Sequence, residues 1–321
     1  MKQTYDKLHP AAMVLLVVLC ASWGLQQISI KVAIAGITPV MQAGLRSVGA
    51  AVLVLLWMVL RGEKVLAKDG TLGWGIAVGL LFSVEFMLIY WGLKFTLASR
   101  SVIFLNTMPF FTTLGAHLLI SAERMTLRHM TGLCCAFIGI LVAFSESIGL
   151  PDARMLIGDS MLLAAAVIWA ATTVLIKASP LSQIPPSRIL LYQLVVSALF
   201  LPLCSLLMGE SGIFNPTPLV VGCIIYQVAW VAFVTYLAWF WLISTYPASR
   251  VSAFVFLTPL FGVLEGALLL DEIVTIQLLI ALVLVSIGIY IVNRPGGKRA
   301  RNQVSQHPRG MRRTRPVDPP D

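Results

Sequence analysis

Glu85 and Glu265 are the acids that stand inside long apolar runs, away from their ends. A carboxylate in lipid must be protonated, paired with a cation or wetted, so such a residue is a functional candidate by default. Glu265 sits inside Gly262-x-x-x-Gly266, a small-residue pattern that lets two helices approach closely. Asn106 lies three residues before Pro109 in a third apolar run. Trp23 is followed by Gln26 and Gln27, and Trp169 by Thr172 and Thr173, each pair one helical turn on and on the same face as its indole. An indole beside polar groups suits a cavity wall. The candidate substrate-binding set is therefore Glu265, Glu85, Asn106, Trp23, Gln26, Trp169 and Thr172. Each has a plainer reading. The two acids can be structural partners of Arg46, Lys31 or Lys177; Asn106 can bond to backbone freed by Pro109; the two tryptophans can be packing residues. Lys31 and Lys177 read as interfacial anchors, His117 as an interhelical partner, and Trp91, Trp239 and Trp241 as members of an aromatic belt.

Catalytic chemistry finds no support. There is no H-E-x-x-H, no G-x-S-x-G and no phosphate-binding Gly-rich loop, so a metalloprotease, a hydrolase elbow and direct ATP drive lack a motif. The five cysteines (Cys20, Cys134, Cys135, Cys204 and Cys223) form no C-x-x-C pair and lie in apolar runs, where they read as packing residues. His9, His117, His129 and His307 are scattered. No catalytic residue, metal or cofactor is expected.

The elements that carry these residues follow from composition. The 321-residue chain is 58% hydrophobic and 12% charged, with a mean hydropathy of +0.89. Soluble domains run about 45–50% apolar and about 25% charged, so one core cannot hide these side chains. Apolar runs broken by charges, Gly and Pro predict ten spans, near 10–33, 39–60, 71–94, 101–120, 127–145, 157–178, 187–208, 217–243, 250–270 and 274–293. The fold class is all-α integral membrane protein. The net charge of +9 does not mark a nucleic-acid binder, because eight basic and two acidic residues of the stretch from Arg294 to Asp321 supply six of those charges. That Pro- and Gly-rich tail reads as disordered and attracted to anionic lipids. Outside it, one face of the membrane receives ten Lys and Arg and the other four, which places both termini in the cytoplasm of a cell (inner or plasma) membrane.

The chain repeats itself. Trp23 to Lys31 and Trp169 to Lys177 have the same spacing. An offset of 150 aligns Trp91 with Trp241, Ala98-Ser99-Arg100 with Ala248-Ser249-Arg250, Phe104 with Phe254, Pro109 with Pro259 and Phe111 with Phe261. One residue less aligns Glu123 with Glu272, Thr126 with Thr275 and Ile138-Gly139-Ile140 with Ile287-Gly288-Ile289. Residues 10–145 and 157–293 thus form two five-span repeats. Five is odd, so the second enters the membrane upside down. Inverted repeats mark secondary transporters whose substrate site lies between the repeats.

In this ordered set the chain resembles the EamA-type members of the drug/metabolite transporter superfamily, over residues 10–293. Asp271 before Glu272, and Ser121-Ala122-Glu123-Arg124, depart from that pattern. The resemblance implies ten helices around a central cavity and outward movement of small metabolites or drugs. The expected function is a secondary exporter of small amino-acid-like or drug-like metabolites working by alternating access. A non-transporting receptor or scaffold, or a membrane-embedded enzyme, is the alternative.

Overall fold

A computed structural model describes residues 8–294, apart from 66, 68, 93, 94, 97, 122, 146–151 and 271–275. Asp271, Glu272, Thr275, Lys68, Lys94 and the tail beyond Arg294 lie outside the described residues, as does the Gln27 side chain.

The elements run α1 (Pro10–Ala33), α2 (Pro39–Leu60), α3 (Leu72–Gly92), α4 (Ala98–Leu105), α5 (Met108–Leu119), α6 (Leu127–Ala143) and α7 (Ala153–Ala178). They continue with α8 (Pro186–Leu207), α9 (Pro218–Ile225), α10 (Tyr236–Thr245), α11 (Ala248–Ser252), α12 (Thr258–Leu270) and α13 (Ile276–Asn293). Among the described residues nine helical stretches are long and apolar enough to cross a membrane, and α6, with 17 residues, is the shorter tenth. Three spans are not single α-helices. The fourth breaks between α4 and α5 at Asn106 and Thr107, and the ninth passes through a 3-10 stretch, Ala253–Leu257, between α11 and α12. The eighth carries a π-helical stretch, Tyr226–Thr235, between α9 and α10. Such stretches are rare and commonly placed at functional sites.

The helix pairing is unchanged when the two halves are exchanged. α6 packs on α13, and α2 on α8. α7 packs on α3 and α5, while α1 packs on the eighth span and α12. Close contacts repeat the symmetry residue by residue. A Cβ on Gly132 would lie 2.8 Å from the Gly288 carbonyl, and one on Gly139 would lie 3.0 Å from the Ala281 carbonyl; these are the same contact with the halves swapped. Gly49 packs on Val228 and Gly79 on Val196, so the second span of each half meets the third span of the other.

The clearest case joins α2 and α8, each 22 residues long with Pro at its start. Both end on a glycine with positive φ, Gly62 at 64° and Gly209 at 71°, a conformation that costs glycine little. The next residue in each chain half is a glutamate that reaches across to the other helix. Glu63 accepts the Ser187 hydroxyl at the start of α8. Glu210 accepts the backbone N–H of Val40 at 3.5 Å and of Met41 at 3.2 Å at the start of α2. Glu210 thus caps the start of α2, satisfying donors that lipid cannot, while Glu63 ties the start of α8 through a side-chain hydroxyl.

Candidate functional site

Arg46 on α2 is fully buried, at 0% exposure. Its guanidinium carbon lies 4.2 Å from the ring centre of Phe86 on α3 and 5.8 Å from that of Tyr236 on α10. Those two aromatics occupy equivalent places in the repeats, 150 residues apart. The guanidinium thus lies where the halves meet. Nε, Nη1 and Nη2 make no well-formed hydrogen bond, although the Tyr236 hydroxyl lies within reach of the guanidinium. A cation over an aromatic face gains about 0.5–2 kcal/mol, well short of the cost of burying a charge without acceptors.

Around Arg46 the walls are aromatic and amide-bearing. Trp23 meets Tyr236 edge-on at 6.3 Å and Trp239 at 5.2 Å, and its indole N–H donates to the Thr235 hydroxyl at 2.9 Å. Phe82 closes on Phe86 at 4.8 Å and on Tyr236 at 6.2 Å. Glu85 is buried and lies within electrostatic reach of Arg46 and Tyr236, yet makes no salt bridge with Arg46. Gln26 reaches toward the Tyr236 hydroxyl. The Tyr90 hydroxyl and both polar atoms of the Gln193 side chain are buried without partners. Gln193 stands on α8 where Arg46 stands on α2, seven residues after the starting proline in each.

The sequence-derived set divides here. Trp23, Gln26 and Glu85 converge on the Arg46 cluster. Trp169 and Thr172 lie on α7, which packs on α3 as α1 packs on the eighth span; Trp169 is half-buried, and Thr172 is buried with its hydroxyl bonded back to the Ile168 carbonyl at 2.9 Å. Asn106 stays local. Its side-chain amide donates to the Val102 carbonyl at 2.8 Å, leaving Oδ1 buried and unpartnered. Glu265 belongs to the seam of α1 and α12, where its Oε2 is buried without a partner, 2.7 Å from the place of a Cβ on Gly24. Gly262 lies across the same seam, so the small-residue spacing does permit close approach. Tyr226, within electrostatic reach of Glu265, donates to the Ser22 carbonyl at 2.9 Å.

Three sequence-level readings change. Trp239 is 5% exposed and packs on Trp23, so it is not a belt residue, whereas Trp241, two positions on, is 45% exposed. Lys177 is no free anchor: it pairs with Glu123 at 2.6 Å and donates to the Tyr246 carbonyl. His117 accepts the Met125 N–H at 3.3 Å, a bond within one connection and not between helices. Arg46, Phe86, Tyr236 and Gln193 were absent from the sequence-derived set. An arginine inside a span was the available signal for the first, and the common spacing from Pro39 and Pro186 was the signal for Gln193.

Polar contacts close the protein on both sides of this cluster. On the face holding both described chain ends, Glu123 also accepts the Ser249 N–H at 3.4 Å, and Arg188 pairs with Asp69 at 2.5 Å. The Thr71 hydroxyl, with Arg188, holds the Asp69 carboxyl below the usual carboxylate range. On the opposite face Asp159 pairs with Arg100 and accepts the Thr96 hydroxyl at 2.7 Å. There Thr38 N–H also donates to the Gly212 carbonyl at 2.9 Å, tying the α1–α2 and α8–α9 connections together.

The EamA-like transporter family model matches residues 10–145 and again 156–294. The chain belongs to the EamA-like transporter family. Relatives span nearly their full lengths. An uncharacterized transporter of Bacillus subtilis strain 168, YoaV, is 26% identical, covering 84% of this chain and 92% of its own. Two proteins named probable amino-acid metabolite efflux pump are similar as well. That of Escherichia coli K12 is 29% identical over 87% of this chain and 93% of its own, and that of Salmonella typhimurium LT2 is 31% identical over 84% and 90%. A crystal structure superposes with a TM-score of 0.78 at 16% identity, covering 88% of this chain and 96% of the other. That likeness concerns the fold alone. This EamA-like protein is a multi-pass membrane transporter. Among its described residues no group of His, Cys, Asp or Glu is arranged to hold a metal ion.

Proposed function

We propose that this EamA-like transporter exports small organic metabolites, amino-acid derivatives among them, through the site at Arg46. The observation that carries the reading is the fully buried guanidinium, with no salt bridge and no well-formed hydrogen bond, where the repeats meet. A buried charge left open is costly, and a substrate that supplies the missing acceptors recovers that cost on binding. Trp23, Gln26, Glu85, Trp169 and Thr172 form the substrate path in this reading, with Asn106 at the break of the fourth span. Glu265 binds a cationic group or carries a proton coupled to transport. The two repeats rock about the site and expose it to each side in turn, breaking the Glu123–Lys177 and Arg100–Asp159 contacts alternately. The names of the enterobacterial relatives support outward movement of amino-acid metabolites. The charge split supports a cell membrane with both termini cytoplasmic, and the basic tail favours anionic lipids there.

Purified protein in proteoliposomes, with and without a pH gradient, tests the proposal against a panel of amino acids and their derivatives. Flux of a panel member that exceeds empty liposomes is expected. Folded protein that moves none of them would refute it.

A further inference from the structure

Arg46 presents a planar fork of N–H donors, none of which makes a well-formed hydrogen bond, at 0% exposure. The rings of Phe86 and Tyr236 lie against the cation at 4.2 and 5.8 Å. Aromatic faces attract the charge but accept no in-plane hydrogen bonds, and the one hydroxyl within reach, that of Tyr236, offers a single acceptor to a fork of five donors. The group that fits such an edge is a carboxylate, which takes two parallel N–H bonds from one guanidinium. Glu85, 5% exposed, stands within electrostatic reach of the same cation without closing a salt bridge on it. A guanidinium and a carboxyl group are thus held in one cluster with the rings of Trp23, Phe82, Phe86, Tyr236 and Trp239, without a salt bridge between them.

We infer that Arg46 is the subsite for the substrate's carboxylate and Glu85 the subsite for an ammonium on the same molecule, which makes zwitterionic amino acids and carboxylate-bearing amino-acid derivatives the preferred class over the corresponding amines. The assignment rests on the transport reading above. A zwitterion neutralises both buried groups at once, whereas an amine leaves Arg46 unsatisfied and a simple carboxylic acid leaves Glu85 unsatisfied. Selection comes mainly from that penalty for an orphaned polar group.

The test measures thermal unfolding of the purified full-length protein in detergent, with each of the proteinogenic L-amino acids as probe. For every amino acid that stabilises, the decarboxylated amine and the deaminated acid are added in parallel, and proteoliposome flux is recorded for the same compounds. Amino acids are expected to raise the unfolding temperature and their amines not to. Arg46→Gln should leave the ligand-free protein as stable as wild type, or more so, since it removes an unpaired buried charge. It should weaken the amino-acid response about ten- to a hundredfold, the loss expected of charge-assisted hydrogen bonds. Arg46→Lys should restore part of it. Glu85→Gln should remove the preference for an amino acid over its deaminated acid. Amines that stabilise as well as amino acids, a panel in which no amino acid stabilises, or an Arg46→Gln protein with an undiminished response would each overturn the assignment. Stabilisation by amino acids without flux would instead refute the transport reading and leave the binding assignment intact. Flux that does not distinguish amines from amino acids would do the reverse.

Discussion

Phe86 and Tyr236 are the same position of the two repeats, and both rings lie against the guanidinium of Arg46. A single cation therefore touches both halves of the molecule through equivalent side chains. Its counterpart position on α8 is Gln193, which is neutral, so the repeats are alike in shape and unlike in charge. An asymmetric substrate needs that difference to bind in one orientation.

Glu265 gives the first prediction. Its Oε2 is buried without a partner on the α1–α12 seam. Glu265→Gln keeps the shape and removes the charge, so membrane abundance and thermal stability should stay near wild type while substrate-dependent flux, or its response to a pH gradient, is lost. Normal transport at every pH would leave Glu265 as a packing group only. Gly24→Ala is the contrasting variant. Its Cβ would lie 2.7 Å from both Glu265 Oε2 and the Gly262 backbone nitrogen, and the overpacking should destabilise by about 1–3 kcal/mol in an unfolding assay.

The crossed glutamate contacts of α2 and α8 should be stabilising and independent. Glu210→Ala strips acceptors from the Val40 and Met41 N–H groups, and Glu63→Ala removes the acceptor for Ser187. Glu210→Ala should cost about 0.5–2 kcal/mol, the range for lost helix caps, and Glu63→Ala about 1–3 kcal/mol, the range for one hydrogen bond to a charged group. The two sites lie at opposite ends of 22-residue helices, so the double variant should show the sum. A strongly non-additive result in thermal unfolding would show that the two ends are coupled.

Lys177 and Glu123 close the face that holds both described chain ends. If the repeats rock, that contact must open in each cycle. A Glu123→Cys, Lys177→Cys pair, oxidised to a cross-link, should abolish flux, and reduction should restore it. Undiminished flux in the cross-linked protein would rule out opening at this point.

Orientation is testable with fusions. A reporter active only in the cytoplasm should work within residues 62–70 or after Arg294, following the ten-to-four split of Lys and Arg. The same reporter in the 147–155 connection should be silent. Activity there would invert the assignment of the faces.

What the chain alone determined was whatever hydropathy and register carry. Spans are written locally, because each stretch must cover the bilayer on its own, and ten could be placed from apolar runs broken at Pro39, Pro186 and similar marks. The two repeats were legible in the ordered matches from Trp23 and Trp169 to Gly139 and Gly288. That Gly262-x-x-x-Gly266 permits a close approach was legible as spacing, but that Gly24 of α1 is what approaches it came only from packing. Which polar residues meet was not legible. Trp239 and Trp241 are nearly identical in sequence context, but a helix turns about 100° per residue and only its packing partners decide which face is inside. α10 presents Trp239 to Trp23 and Trp241 outward. Lys177 read as an anchor until the α5–α6 connection brought Glu123 to it, and Arg46 read as one acid's partner until α3 and α10 set two aromatic rings against it. Those meetings join residues 40 to 216 positions apart, and long-range packing alone decides them.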